Sequence, residues 1–486
     1  MELNKKRPPA IMWVKPKHPH LQQKGREMKL SRKEANRKAH ARPALRFESH
    51  QLTAFGGIVV LQELFGKLNL TDRLKDVFHR RQIGKIYRPQ KLFMQLILHL
   101  LLGFRSLRDV TCYQNDPLVQ RVLGMQCVVD CSTLSRMLRD VTDGEVQALR
   151  RLMSNQVLDR MCVLMPPRIT LDFDGSVCST KRHAQGTAVG FNKKKKGARS
   201  YYPLFCTVAQ TGQVLDLLHR PGNVHDSNGA AAFILQCVRM VRHRCPGVIL
   251  EVRMDSAFFS DGIVHALDEM NVEFSISVPF ERFPQLKQTI EARRRWKRCG
   301  PGCGSFEVDW KPDCWSKRYR FLVIRQEVAE QRKGELQLDL FEPRDWKYDY
   351  KMIVTNKKVA VRTVTRYHEG RGSQEGIFAE LKTDVAMGHI PVRTRNGNQA
   401  YLLAGLMAHN MVRELQMRES PPERGTNMTR AAHWAFDQVS TLRKHIFNRA
   451  GKLTRPGGQL TLTINASGTD QERIVSLRDA ANQVAA

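Results

Sequence analysis

Acidic residues stand at three places from which a chain could present them to one point. Residues 168–178 (Arg-Ile-Thr-Leu-Asp-Phe-Asp-Gly-Ser-Val-Cys) alternate apolar and polar side chains, the period of a strand. Ile169, Leu171 and Phe173 therefore share one face, and Asp172 and Asp174 the other. A second strand-like run, Val248 to Met254, delivers Asp255 at its end, and Glu375 lies on a helix that starts near Ser373. Three carboxylates can hold two hard divalent cations, which need oxygen ligands. Two such cations about 4 Å apart activate an attacking oxygen and stabilise the leaving oxygen when a phosphodiester is displaced in line. The chain has 47 Asp and Glu in all, so spacing by itself leaves many other triples open.

The helix is more particular. Glu375 and Lys382 stand two helical turns apart and so share a face, with Arg371 one turn before Glu375. A carboxylate between an Arg and a Lys suits a metal ligand whose cationic neighbours hold phosphates. The same pattern suits a surface helix laced by ion pairs.

Elements of two kinds must position these residues. From about 52 to 160 the apolar period is helical, as in Ile58, Leu61, Leu64, Phe65 and Leu68. Ser132-Thr133 before Leu134, Met137 and Leu138, with Arg136 and Arg139 opposite, suits a capped recognition helix or an ordinary bundle helix. After residue 165, three strands are followed by strands alternating with helices, the pattern of a mixed α/β sheet. Between about 280 and 350, short strands and four of the six Trp (Trp296, Trp310, Trp315, Trp346) suggest a β-rich insertion. Cys299 and Cys303 with Cys314 could begin a zinc site, but a clean second pair is lacking and free thiols are favoured. The expected divisions are a basic arm at 1–50, a helical region at 51–160, a first core segment at 165–280, the insertion at 281–350, a second core segment at 351–418 and a C-terminal region at 419–486.

Charge selects the partner. The chain's 79 Lys and Arg against 47 Asp and Glu give a formal net charge of +32, which calls for a polyanion. Residues 1–50 hold 14 Lys and Arg against 4 acidic residues, residues 181–200 carry +7, and five more cations crowd 293–298. The excess brackets a small acidic centre, as a protein gripping nucleic acid around metal would need, with Lys193, Lys194, Lys195 and Lys196 tracking phosphates. A membrane reading finds little support: the most apolar run, Leu92 to Phe104, is broken by Gln95 and His99 and falls short of about 20 residues. Eleven scattered Cys and no apolar leader fit reduced thiols in a cytoplasm.

The segment Tyr367-His-Glu-Gly-Arg371-Gly-Ser-Gln-Glu375-Gly-Ile-Phe-Ala-Glu-Leu-Lys382 resembles the Tyr–Arg–Glu–Lys signature of DDE transposases from bacterial insertion sequences, most closely the insertion-sequence thirteen-eighty family. The resemblance runs from about residue 52 to the low 450s. It is supported by Leu171-Asp-Phe-Asp174-Gly-Ser, by Phe191-Asn-Lys-Lys-Lys-Lys-Gly with Ser200-Tyr-Tyr-Pro-Leu204, and by Gly222-Asn223. Arg253-Met-Asp255-Ser-Ala-Phe, Ala408-His-Asn410, Asp116-Pro117 and Ser132-Thr-Leu-Ser-Arg136 add to it. Three residues separate Tyr367 from Arg371, where the family usually has two.

The resemblance implies an α/β fold with a ribonuclease-H-like catalytic core, a β-rich insertion and an N-terminal helical DNA-binding region. It implies Asp174, Asp255 and Glu375 as catalytic metal ligands, with Asp172 and Glu380 as fallbacks. Tyr367, Arg371 and Lys382 would contact the transposon end, and Arg136 DNA beside it. Mg2+ or Mn2+, two ions, would be the cofactor. The partners would be double-stranded DNA, as terminal inverted repeats and target, and an oligomer formed on it, in a bacterial, nucleoid-associated setting without membrane. In related transposases a Trp of the insertion stacks a flipped base. The alternatives are a DNA-binding protein without catalysis and a nuclease of the same fold that does not join ends.

Overall fold

Strand-forming sequence after residue 165 builds one nine-stranded mixed sheet in the computed structural model. The structure describes residues 51–81, 87–181, 183–190, 192, 195–225, 228–328 and 347–482, with Arg42 and Leu45. Apart from these two, the basic arm at 1–50 lies outside the described residues, as do Lys193, Lys194 and Trp346. Residues 49–486 form one unit, and every described strand and helix lies within it.

In chain order the strands are β1 (Leu52–Thr53), β2 (Arg168–Gly175), β3 (Cys178–Thr180), β4 (Ala188–Val189), β5 (Arg199–Tyr201), β6 (Leu204–Val208), β7 (Gln213–Leu218), β8 (Ile249–Met254), β9 (Glu273–Ser277), β10 (Lys297–Gly300), β11 (Cys303–Val308), β12 (Arg320–Glu327), β13 (Tyr348–Thr355), β14 (Gly451–Thr454) and β15 (Thr461–Ile464). The helices are α1 (Val59–Lys67), α2 (Leu70–Val77), α3 (Pro89–Leu101), α4 (Pro117–Leu123), α5 (Cys131–Arg139), α6 (Asp143–Leu164), α7 (Ala230–Arg244), α8 (Asp261–Glu269), α9 (Pro284–Ala292), α10 (Val361–Glu369), α11 (Ser373–Asp384), α12 (Arg395–Glu419), α13 (Val439–Leu442) and α14 (Thr469–Asn482).

The sheet order is β10-β11-β12-β13-β9-β8-β2-β6-β7. Only β2–β8 and β8–β9 pair in parallel, so three parallel strands form its centre between antiparallel wings. Strands β10 to β13 extend the central sheet, because β13 pairs directly with β9.

The central strands have two unlike faces. Ile169, Leu171 and Phe173 of β2, Leu250, Val252 and Met254 of β8, and Phe274 and Ile276 of β9 enter an apolar core with Phe233, Ile234 and Val238 of α7 and Ile263 and Leu267 of α8. The opposite face presents Thr170, Asp172, Glu251, Arg253 and Ser275, all buried. Helix α10 covers this polar face, and His368 bonds Ser275 Oγ at 3.0 Å and Ser277 Oγ at 2.8 Å.

A second apolar core joins α1–α6 to α12 and α14. Residues 51–160 are therefore not a core of their own. Helix α12 is buried from Gly397 to Met417, as expected of a helix enclosed on all sides. Its Asn410 accepts from Val214 N at 2.8 Å and donates to Val214 O at 2.8 Å, which satisfies a residue of the edge strand β7. The C-terminal region closes back on the start of the unit: β14 pairs with β1, Leu52 opposite Lys452. Gly57 permits that closure, since a Cβ there would collide with Ile446 O.

Two local expectations change. Helix α5 is capped by Asp130, which accepts from Thr133 N at 2.8 Å, so Ser132 and Thr133 lie inside its first turn rather than before it. Cys299 and Cys303 are not free thiols: a disulfide joins them across the β10–β11 turn, while Cys314 is free and exposed. Among the described residues no helix is long and apolar enough to cross a membrane.

Candidate active site

Parallel pairing of β2 with β8 sets Asp172 opposite Arg253. Continuing that register two residues further brings Asp174 level with Asp255 at the carboxyl ends of adjacent strands, which lie about 4.8 Å apart. Because side chains alternate, Asp174 follows Asp172 and Asp255 follows Arg253 onto the polar face that α10 covers.

Beneath the strand ends lies a dense ionic layer. Arg253 grips Asp172 with two bonds, Nε to Oδ1 at 2.6 Å and Nη2 to Oδ2 at 2.7 Å, and both side chains are at most 1% exposed. Its remaining nitrogen, Nη1, donates to Tyr367 O at 2.8 Å and Thr429 O at 2.7 Å. Burial pushes the Asp172 carboxyl up against the pull of Arg253, while the carboxylate raises the guanidinium despite its own burial. We take the pair as ionised, because the fork geometry satisfies both partners. One pair over, Glu251 accepts from Thr170 Oγ1 at 2.8 Å, Arg168 at 2.9 Å, Lys357 at 2.7 Å and Arg430 at 2.7 Å. Burial alone would raise Glu251, but hydrogen bonds and charge from Arg430 and Lys357 hold it down at about 2.

The carboxylates above this layer are different. Asp174 is 21% exposed; its Oδ1 accepts from Gly175 N at 2.7 Å and its Oδ2 meets Arg371 Nη1 at 3.2 Å. Asp255, half-buried, accepts from Ala257 N at 3.0 Å and so caps the turn that ends β8. Gln374 Nε2 donates to Asp172 O at 3.1 Å, which docks the first turn of α11 on β2. The next residue, Glu375, is exposed, as is Lys382 on the same helix. Gly370 allows this approach: a Cβ there would strike Thr429 O and the Arg253 guanidinium.

The donor chemistry suits a hard divalent ion. Asp174 and Asp255 offer partly exposed carboxylate oxygens from level strand ends, and the Arg371 guanidinium already rests on Asp174 as positive charge. The side chains do not form a closed cage: among the described residues no three His, Cys, Asp or Glu gather closely enough to hold a metal.

Other anticipated residues fall elsewhere. Both fallbacks belong to the interior: Asp172 is taken by Arg253, and Glu380 is taken by Arg413 and by Val439 N at 3.0 Å. Tyr367 was expected at DNA but is 1% exposed, its ring beneath Lys357 Nζ at 4.2 Å, Arg253 at 5.3 Å and Arg430 at 5.6 Å. Burial pushes its phenol well above the usual range. Lys195 and Lys196 are exposed, and so is Arg136, which donates to Thr133 Oγ1 at 3.2 Å. Trp315 packs against Phe259, Trp310 against Phe283 and Trp296 against Phe306. Sequence reasoning passed over Lys357, Gln374 and Arg430, which sit in loops or on a helix with no local pattern to mark them. Arg253 did carry a signal, two residues before Asp255.

Residues 36–485 match the family described as transposase DDE domain group 1. The chain belongs to that family. No curated protein matches it. Among solved structures, the transposase is similar to a piggyBac transposase synaptic complex with hairpin DNA at 10% identity and a TM-score of 0.39, over 81% of this chain and 80% of that one. It is similar to a Mos1 transposase paired-end complex with the left transposon end at 11% identity and a TM-score of 0.17, over 40% of this chain and 60% of that one. A Mos1 mariner paired-end complex with Mn matches at 12% identity and a TM-score of 0.16, with the same coverage. The assignment of the transposase rests on the family match, which spans nearly the whole chain.

Proposed function

We propose that this transposase cuts DNA at the ends of its element and joins the released ends to target DNA, using Asp174, Asp255 and Glu375 in a ribonuclease-H-like core. The observation that carries the reading is the parallel register that sets Asp172 of β2 opposite Arg253 of β8, with α11 docked on Asp172; continued two residues, that register would bring Asp174 beside Asp255. Two Mg2+ or Mn2+ ions bound by these carboxylates would activate the attacking oxygen and steady the leaving oxygen. Arg371, on Asp174, is placed to shift onto a scissile phosphate, and exposed Lys382 to hold a neighbouring one. Lys193 to Lys196 and Arg136 would grip the duplex further out. The substrate is double-stranded DNA carrying terminal inverted repeats, bound by an oligomer, and the element belongs to the insertion-sequence thirteen-eighty group of bacteria, with the protein at the nucleoid.

The test is cleavage of an end duplex with Mg2+ by the intact chain and by Asp174→Asn, Asp255→Asn and Glu375→Gln. Each variant should bind the duplex and leave it uncut; full cleavage by Asp255→Asn would sink the assignment. Pre-cleaved ends offered with target DNA should yield joined product, whereas a nuclease that does not join would yield none.

A further inference from the structure

A cavity of about 780 Å3 opens between the β10–β11 hairpin and the amino end of α10, away from the carboxylates. Its walls carry Arg293, Lys297, Arg298, Arg320 and Arg362 against one carboxylate, Glu307. Arg320 already neutralises Glu307, with Nε to Oε2 at 3.0 Å. Four cations are then left facing one space. Of these, Lys297, Arg298 and Arg362 are exposed, and among the described residues their side chains make no hydrogen bond or ion pair. The Cys299–Cys303 disulfide ties β10, which carries Lys297 and Arg298, to β11. Helix α10 adds the positive end of its dipole, and its cap residue Ala360 has no side chain to bond the first amides. With Glu307 the one carboxylate of the lining, shared between Arg320 and Lys297, the exposed cations give this surface a positive field that attracts an anion.

We propose that this cavity binds the phosphodiester backbone of DNA flanking the cleavage position, an inference that rests on the proposed active site. Position on the molecule selects DNA over a free polyphosphate. Helix α10 and the turn after it lead from the cavity to Arg371 on Asp174. Ten residues at 1.5 Å rise make about 15 Å, or about four base steps at 3.4 Å each. A duplex crossing the carboxylates would lay phosphates in the cavity about four base pairs away.

The experiment compares the intact chain with the triple variant Lys297→Ala, Arg298→Ala, Arg362→Ala, whose exposed positions leave the fold intact by circular dichroism. Binding is measured against salt on two duplexes, one extending about ten base pairs past the cleavage position and one ending about two past it, on either side of four base steps. On the long duplex the triple variant should lower the salt slope by about three and weaken binding roughly tenfold to hundredfold. On the short duplex the two proteins should bind alike. Equal losses on both duplexes, or none on either, would overturn the proposal. So would tight calorimetric binding of inorganic tripolyphosphate that the long duplex fails to displace, which would mark a site for free polyphosphate. Cleavage that survives Asp174→Asn would instead overturn the active-site reading and leave the length-dependent binding loss untouched.

Discussion

Asp172 and Asp174 are two residues apart on one face of one strand, yet they live in different media. Asp172 is 1% exposed and locked in a two-pronged pair with Arg253; Asp174 is 21% exposed and meets Arg371 through one contact of 3.2 Å. The same contrast recurs on β8, where Arg253 is sealed and Asp255 half-open, and on α11, where Glu380 is sealed and Glu375 exposed. Asp172 and Asp174 share residue type and face, Arg253 and Asp255 share only the face, and Glu380 and Glu375 share only the residue type; in all three pairs depth separates framework from chemistry. A buried ion pair fixes geometry, but it costs several kcal/mol per ion to desolvate. A carboxylate meant to exchange partners must keep some water.

The largest effect should come from breaking the sealed pair. Arg253→Met leaves the Asp172 charge buried alone and should destabilise the protein by about 3–5 kcal/mol in denaturant unfolding, while Arg253→Met with Asp172→Leu recovers much of the loss. Asp174→Asn should change stability by less than about 0.5 kcal/mol and abolish cleavage. A wild-type unfolding midpoint for Arg253→Met would erase the distinction between the two layers.

On α11 the same comparison is smaller. Glu380→Gln weakens an ion pair with Arg413 and should cost about 1–3 kcal/mol, because the buried guanidinium loses its charge partner. Glu375→Gln, on the exposed face, should unfold with the wild type and fail to cut DNA. Equal stability losses from the two would show that Glu375 is framework as well.

Acid should attack the framework before the carboxylates. Burial depresses His219, His368 and His409 to about 3 and His99 to about 4, from 6.5. Below 6.5 the unfolded chain takes up protons that the native state refuses, so the stability held above that pH is lost as pH falls towards 4 and then 3. Each histidine contributes on the order of 1 kcal/mol per pH unit across that window. Glu251, held at about 2, adds a loss only below its ordinary 4.5. Unfolding midpoints should therefore fall between about pH 6.5 and 5, and His368→Gln should flatten that fall. A flat profile above pH 5 would contradict the native burial of these neutral rings.

Much of this division was legible in local pattern. Alternation along 168–175 put Asp172 and Asp174 on one face, and the strand ending at Met254 placed Asp255 correctly. Alternation could not say that the polar face is buried too, because that follows from α10, nearly two hundred residues later. Helix α11 begins where its pattern suggests, and five-residue spacing already turns Glu380 to a different helix face from Glu375; that the Glu380 face is the buried one follows from Arg413 of α12 and Val439 of α13, which the spacing does not record. The pairing of Leu52 with Lys452 joins segments about four hundred residues apart, and neither carries a signal for the other. Strands β11 and β12 overlap the strand-like runs at 306–310 and 319–324, whereas β10 and β13 carried no such reading, and membership of all four in the central sheet depends on one pairing, β13 with β9.

The smallest expected effect concerns Tyr367, the one signature residue that lies wholly in the sealed layer. Its backbone carbonyl holds Arg253, and its ring is covered by three cations. Its hydroxyl is buried and, among the described residues, has no hydrogen-bond partner. Removing an unsatisfied buried hydroxyl while keeping the ring should be neutral or stabilising by less than about 1 kcal/mol. Tyr367→Phe should thus raise the unfolding midpoint slightly, leave end binding unchanged and keep cleavage. Tyr367→Ala would strip the ring from Lys357, Arg253 and Arg430 and should cost stability by about 3–5 kcal/mol through the cavity it leaves. A loss of end binding in Tyr367→Phe, at unchanged stability, would move this residue to the DNA surface and place the boundary between the two layers one residue too far out.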